Sequence, residues 1–420
     1  MNRVSWSFVM PATTPGTAPL FTVVWMTSRA ESTTRWVSDM GVVPLVRPTV
    51  TLLQVSQECD GCLNRRSGAV SLCFPAEWRV PRSSGRRILD PSLRGGDVTM
   101  ARAVPRPPFD AELKAGLAVV GGMFPPTITA DLIEFMRTSY ASPPMDEEFD
   151  RRRIAVNDVT FPGGDGAAVN AAVLRSRDFS GPRPAVLYAH SGGLMFGDMF
   201  SGLDLVLDWV TELGAVLVTV EYRLAPEYPD PYPREDMYAA LEWLAAHVTD
   251  LDVRADRILV AGASSGGGLA AGLALAARDR GGPRLCGQVL DYPMLDDRCT
   301  TASIEQFDGI GVWDRISNET GWTALLGEQR GTDLVSPYAA PARAQNLRGL
   351  PPAFIDVGAA EIFRDEAIDY ANRIWQAGGD AELHVWSGAF HACDIFAPHT
   401  RVGRSMIRTR NTWVEKILAD

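Results

Sequence analysis

Lysine is nearly missing from this chain of 420 residues, occurring only as Lys114 and Lys416, so arginine carries almost all the positive charge. That skew reads as GC-rich coding rather than as chemistry. Positive charge is also in deficit: 40 basic residues face 51 acidic ones, and the formal charge of −11 argues against nucleic acid as a partner. Cysteine is scarce, with six in the chain, so no disulfide framework is implied and a reducing, cytoplasmic setting is expected. Cys59 and Cys62 have the spacing of half a zinc site, but no second C-x-x-C pair exists and no histidine precedes His190. A metal role there is not expected. Long apolar runs are absent too: Leu20–Met26 is too short to span a bilayer, and Pro11, Pro15 and Pro19 interrupt the helix that a secretory signal needs. No stable membrane insertion is expected.

With 46% apolar residues, the chain can bury a large core. Its charge is unevenly spread: residues 1–99 carry 11 arginines against 7 acids, whereas the remainder carries a net −15. Residues 1–99 show no sustained helical or strand period and are rich in Ser, Thr, Pro, Gly and Arg, a poor composition for building a core. They are expected to be a disordered or non-native extension, with the functional protein beginning near Met100. Beyond that point, 109–120 and 129–140 carry apolar residues at helical spacing, with Asp110 and Thr129 placed to cap them.

Residues 157–162 and 167–174 flank a glycine-rich turn and predict a hairpin. Nearly all-apolar strands are then expected at 185–188, 215–220, 258–261, 287–290, 353–357 and 382–386, separated by helical stretches. Such strands need cover on both faces, which implies an α/β protein with a mainly parallel sheet. In these sheets ligands bind beyond the carboxyl ends of the strands.

One of those ends is singular. The run Ile258-Leu-Val-Ala-Gly262-Ala-Ser264-Ser-Gly266-Gly-Gly268 passes from strand to helix with Ser264 at the turn, the pattern of a nucleophile elbow. A glycine-rich turn with an incidental serine would look similar, so the other parts of a site must be sought independently. A serine hydroxyl needs a base, the base needs an acid, and the oxyanion needs donors. Of five histidines, His391 follows the last strand and is expected to be the base, with His399 behind it. His247 reads as a surface or helix-capping residue and His384 as a strand residue. Glu361 is the nearest acid after the strand at 353–357; Asp365 is the alternative, although it already falls in the first turn of a helix. Gly192 and Gly193, after the strand at 185–188, can turn their N–H groups towards a substrate oxygen, joined by the N–H of Ser265.

Four separated motifs, His190-Ser-Gly-Gly, Tyr222-Arg-Leu-Ala-Pro-Glu227-Tyr-Pro, Gly262-Ala-Ser264-Ser-Gly-Gly and Phe390-His391, resemble in order the hormone-sensitive-lipase-like family of α/β-hydrolase esterases. The resemblance covers about residues 105–418. It implies an eight-stranded sheet and a helical cap from about 105–150 and 303–345. It also implies a carboxylesterase acting on small-molecule esters and water with no cofactor and no metal, and it leaves room for a homodimer. An arginine–acid network would fall on Glu221, Arg223 and Glu227, and His190 would serve as scaffold. Three positions depart from the family's pattern: Ser191 stands for a glycine, Ser265 for an alanine and Glu361 for an aspartate.

The expected reaction is hydrolysis of short- to medium-chain esters through an acyl-serine, with Ser264, His391 and Glu361 as the triad. An amidase or metabolite deacylase could use the same triad, and a catalytically silent receptor could use the same fold. Candidate pocket residues are Phe124, Met195, Phe196, Trp313 and Trp322.

Overall fold

The computed structural model describes residues 105–419 throughout, and the backbone of 6–12 and 20–26. Strands β1 (Trp6–Ala12) and β2 (Leu20–Met26) pair antiparallel, with Trp6 opposite Met26. The sequence reading found no strand period in that stretch. Cys59, Cys62, Cys73 and the proposed start at Met100 lie outside the described residues.

The larger unit holds one eight-stranded sheet. It begins with a hairpin, β3 (Ile154–Pro162) and β4 (Ala168–Ser176), in the register expected from the turn between them. There follow β5 (Arg183–Ala189), β6 (Val216–Glu221), β7 (Val253–Ala263), β8 (Gly287–Asp291), β9 (Ala353–Gly358) and β10 (Ala381–Trp386). Their order across the sheet is β10-β9-β8-β7-β5-β6-β4-β3, and β4 alone runs opposite to the other seven strands. The central strands are buried along almost their whole length, which explains why they read as unbroken apolar runs instead of alternating ones.

Helices complete the layers. Helix Ser265–Arg280 is buried continuously from Ser265 to Ala277, packs on β5, β7 and β8, and ends at Gly281 with φ 62°. Its Ala, Gly and Leu content is what so complete a burial requires, since small side chains let backbone approach backbone: a Cβ at Gly272 would lie 2.1 Å from the Tyr338 carbonyl oxygen. Helix Arg401–Ala419, by contrast, is strongly amphipathic and lays its buried stripe on β9. Among the described residues, no helix is long and apolar enough to cross a membrane.

Two sequence-distant segments meet beside the sheet. Asp110 caps helix Ala111–Gly121 by accepting the N–H groups of Glu112 and Leu113, as its position predicts. Thr129 makes no such cap; its hydroxyl donates to Asp131 instead, and a 3₁₀ turn precedes helix Ile133–Ser139. The other segment centres on helix Arg315–Leu326, capped by Asp314. Thr127 Oγ1 donates to the Asp314 carboxylate at 2.7 Å, and Ile128 N–H donates to Ser317 Oγ at 2.8 Å, so one helix start holds both segments together.

Candidate active site

Between β7 and helix Ser265–Arg280 the chain turns at Ser264, whose φ of 59° and ψ of −121° are strained for any residue but glycine. The flanking glycines have a measurable reason. A Cβ at Gly262 would sit 2.2 Å from the Gly266 carbonyl oxygen, and one at Gly266 would sit 2.0 Å from that of Ala189. The strained residue is pinned on both sides: its N–H donates to the Asp291 carbonyl at 2.9 Å, and its own carbonyl accepts from Gly268 at 3.1 Å and Met294 at 3.0 Å.

His391 lies in the loop after β10, with its ring held edge-on against Tyr292 and Phe363 at centroid distances of 4.9 and 5.1 Å. Its Nε2 is 3.0 Å from Ser264 Oγ and its Nδ1 is 2.6 Å from Glu361 Oε2. Because the carboxylate oxygen can only accept, Nδ1 carries the hydrogen, which leaves Nε2 to accept the serine proton. The other oxygen, Glu361 Oε1, accepts the Gly358 N–H at 2.7 Å at the end of β9. Glu361 is thus anchored before it reaches the histidine. Asp365 is turned elsewhere, accepting the Ser303 N–H at 2.8 Å and pairing with Arg364 at 2.7 Å. Neither Asp365 nor His399 touches the pair formed by Ser264 and His391.

Beyond β5 the chain runs through Gly192 and Gly193 at φ 128° and 61°. A Cβ at Gly192 would lie 1.9 Å from the Phe196 carbonyl oxygen, and one at Gly193 would lie 2.3 Å from the Trp313 ring. Among the described residues, the N–H groups of Gly192, Gly193 and Ser265 have no hydrogen-bond acceptor. His190 stands behind this loop, stacked on Tyr222 at 4.1 Å, with Nδ1 2.8 Å from the Ser191 carbonyl. Burial lowers its pKa to about 4, so at neutral pH it is uncharged and serves as scaffold.

A cavity of about 50 Å³ opens between these groups and the two helical segments. Phe124, Ile128, Met136 and Tyr140 from one segment and Val312 and Trp313 from the other line it, facing Ser264, His391, Gly192 and Gly193. The wall is mostly apolar, with Phe196 and Phe396 extending it.

The family described as alpha/beta hydrolase fold matches residues 186–395, half of the chain. The chain is 32% identical over 289 residues to "Carboxylesterase NlhH" of Mycobacterium tuberculosis, covering 67% of this chain and 87% of that protein. It belongs to the α/β-hydrolase family, in its hormone-sensitive-lipase-like branch. "Esterase LipI" of the same organism is 40% identical over 205 residues, covering 48% of this chain and 62% of that protein, less than two thirds of its length. Among solved structures, "Bacterial Heroin Esterase" aligns with a TM-score of 0.67 at 34% identity, over 74% of this hydrolase and 98% of that chain. Esterase LipW from Mycobacterium marinum aligns with a TM-score of 0.65 at 30% identity, over 75% and 99%.

Several sequence expectations for the hydrolase need correction. Met195 and Trp322 do not line the cavity: both are packed into the core, at 0% and 1% exposure, and Met195 contributes only its carbonyl, as an acceptor for Arg137 Nε at 3.0 Å. Phe124, Phe196 and Trp313 do line it. Glu221, Arg223 and Glu227 do not form one network. Arg223 pairs with Asp165 at 2.7 Å and buried Asp236 at 2.6 Å, Glu221 accepts the Met199 N–H at 2.8 Å, and Glu227 pairs with Arg137. Arg137, on helix Ile133–Ser139, also donates to the Ala225 carbonyl at 3.1 Å and so fastens that helix to the loop after β6. His247 caps its helix, with Nδ1 2.8 Å from the Trp243 carbonyl.

Behind Ser264, His391 and Glu361 lies a group of charges that the sequence did not announce. Arg410 is fully buried, with Nε 2.9 Å from Asp291 and Nη2 paired to Asp394 and 3.9 Å from Asp356. These acids stand next to the site's own loops. The Asp291 carbonyl holds the Ser264 N–H, Asp394 accepts the Tyr292 hydroxyl at 3.1 Å, and Asp356 lies on β9 above Gly358. Burial raises the pKa of Asp291 and of Asp356, since one guanidinium cannot compensate three carboxylates. One arginine among the four of an amphipathic helix reads as a surface residue, so nothing in the sequence marks this one as buried. Among the described residues no three His, Cys, Asp or Glu side chains converge as a metal site.

Proposed function

We propose that this protein is a serine carboxylesterase whose nucleophile, base and acid are Ser264, His391 and Glu361. The observation that carries the reading is the relay of 3.0 Å from Ser264 to His391 and 2.6 Å from His391 to Glu361, set beside unpartnered backbone donors. Esterase names among the relatives agree with it.

In the proposed cycle Ser264 attacks the ester carbonyl carbon while His391 Nε2 takes its proton. The carbonyl oxygen becomes an oxyanion facing the N–H groups of Gly192, Gly193 and Ser265. His391 then protonates the departing alcohol, and water repeats both steps on the acyl-serine. Glu361 keeps the Nδ1 hydrogen in place and stabilises the imidazolium that forms.

The segments 105–150 and 303–345 act as the cap over this chemistry and set substrate size. The Trp313 ring pressed on Gly193, within an apolar wall, favours the short end of the expected acyl range. With few cysteines in the chain, the reducing cytoplasm is the working compartment we infer. The test is turnover of p-nitrophenyl esters with acyl chains of two to sixteen carbons by the full chain and by its Ser264→Ala variant. Activity confined to short chains and lost in the variant supports the reading; a variant that keeps most of its activity overturns it.

A further inference from the structure

Inside the apolar cavity one polar feature is not used by the chemistry above. Tyr140 Oη and Ser191 Oγ lie 2.9 Å apart, and both residues line the cavity that contains Ser264 and His391. Ser191 is buried and immediately precedes Gly192, so its Cα lies about 3.8 Å from that of a proposed oxyanion donor. Tyr140 closes helix Ile133–Ser139, and its ring is wedged against Phe124 at 5.8 Å and Phe196 at 5.3 Å. Burial raises the Tyr140 pKa, so the group is a neutral hydroxyl with its hydrogen in place.

Two hydroxyls carry two hydrogens, and a single bond between them uses one. Neither oxygen has another hydrogen-bond partner among the described residues. One O–H is therefore left over, in a pair that lines a cavity whose wall is otherwise largely apolar, with Phe124, Ile128, Met136, Phe196 and Phe396. A donor kept unmade in such surroundings is costly, and a ligand atom that accepts from it is correspondingly favoured over a methylene in the same place.

We infer that the pair formed by Tyr140 and Ser191 is a specificity element that recognises an oxygen acceptor, an ether, hydroxyl or carbonyl oxygen, placed a few atoms from the scissile ester. The inference rests on the serine esterase reading of the same site. It makes the preferred substrates oxygen-substituted short esters rather than plain alkyl ones. The acceptor can sit on the acyl or on the alcohol portion, and matched substrates separate the two.

The experiment compares kcat/KM for two pairs that differ by one oxygen in place of one methylene. On the acyl side these are p-nitrophenyl methoxyacetate and p-nitrophenyl butyrate; on the alcohol side, 2-methoxyethyl acetate and butyl acetate. Each ratio is divided by the corresponding ratio for hydroxide-catalysed hydrolysis, which removes intrinsic reactivity. Both members of a pair are measured on one sample, so partial misfolding of a variant cancels. The unaltered protein should favour the oxygen-containing member of at least one pair by about 5- to 10-fold. The double variant Tyr140→Phe with Ser191→Ala, which removes both donors, should bring that preference to within about twofold of the hydroxide value. A wild-type ratio equal to the hydroxide ratio in both pairs overturns the inference, as does a preference that survives both substitutions. Ser264→Ala measured alongside distinguishes the two levels: turnover that persists there defeats the serine reading itself, whereas a dead Ser264→Ala with an unmoved ratio defeats only the role of the hydroxyl pair.

Discussion

The floor and the roof of the cavity are built on opposite rules. The floor is made at the ends of strands, where backbone geometry does the positioning: a strained Ser264, two glycines on which no Cβ fits, and a Glu361 tied to the Gly358 N–H. The roof is made of large side chains from two segments about 180 residues apart in sequence, Phe124 to Tyr140 and Val312 to Trp313, joined through Asp314 and Ser317. Floor groups are replaceable by almost nothing. Changes to the floor should therefore lower turnover for every ester, and changes to the roof should alter which ester is turned over.

Substitutions sharpen that contrast in decreasing order of effect. Ser264→Ala should lower kcat by about 10⁴-fold or more on any p-nitrophenyl ester, read by initial rates at saturating substrate, with the fold intact by circular dichroism. Next, Glu361→Gln should lower kcat by about 10³-fold, because one amide oxygen cannot accept from both Gly358 N–H and His391 Nδ1–H, while Asp365→Asn should change it less than about threefold. The reverse order would move the acid to Asp365. Arg410→Met strips the counter-charge from three buried carboxylates and should cost about 3–5 kcal/mol of stability in urea unfolding, for it leaves uncompensated buried charge beneath the floor. A midpoint unchanged by the substitution would show that the acids are held neutral and need no partner. Smallest is the roof: Trp313→Ala should raise kcat/KM about 10-fold for hexanoyl relative to acetyl esters, with kcat on acetyl esters altered little. Equal losses across all chain lengths would mean that Trp313 supports the floor through Gly193 and not the acyl boundary.

How legible each part was follows from the range over which it is decided. The strands, the hairpin at β3 and β4 and the elbow are decided by neighbours in the chain, and their residues are visible as apolar runs and as glycines at fixed offsets. Glu361 and Asp365 were both open, since they share a loop and a charge; what separates them is that Gly358 N–H faces Oε1 of one and Ser303 N–H faces the other. Trp322 and Trp313 were indistinguishable as aromatic residues of one insertion, and the helix capped by Asp314 turns one inward to the core and leaves the other beside Gly193. The long-range roles of Arg137 and Arg410 carry no local signal, because the partners Glu227, Asp291, Asp356 and Asp394 lie on other elements.

By itself the sequence determined the α/β class, the elbow, the two glycines behind the proposed oxyanion site and the histidine after the last strand. These are consequences of backbone sterics and short-range pattern, which a few adjacent residues suffice to state. Folding alone settled which acid meets His391, which aromatic residues line the cavity beside Ser264, and that the hydroxyls of Tyr140 and Ser191 share one bond there. Those are matters of a few ångströms between residues far apart in the chain, and only the packed sheet with the segments laid against it brings them to that distance.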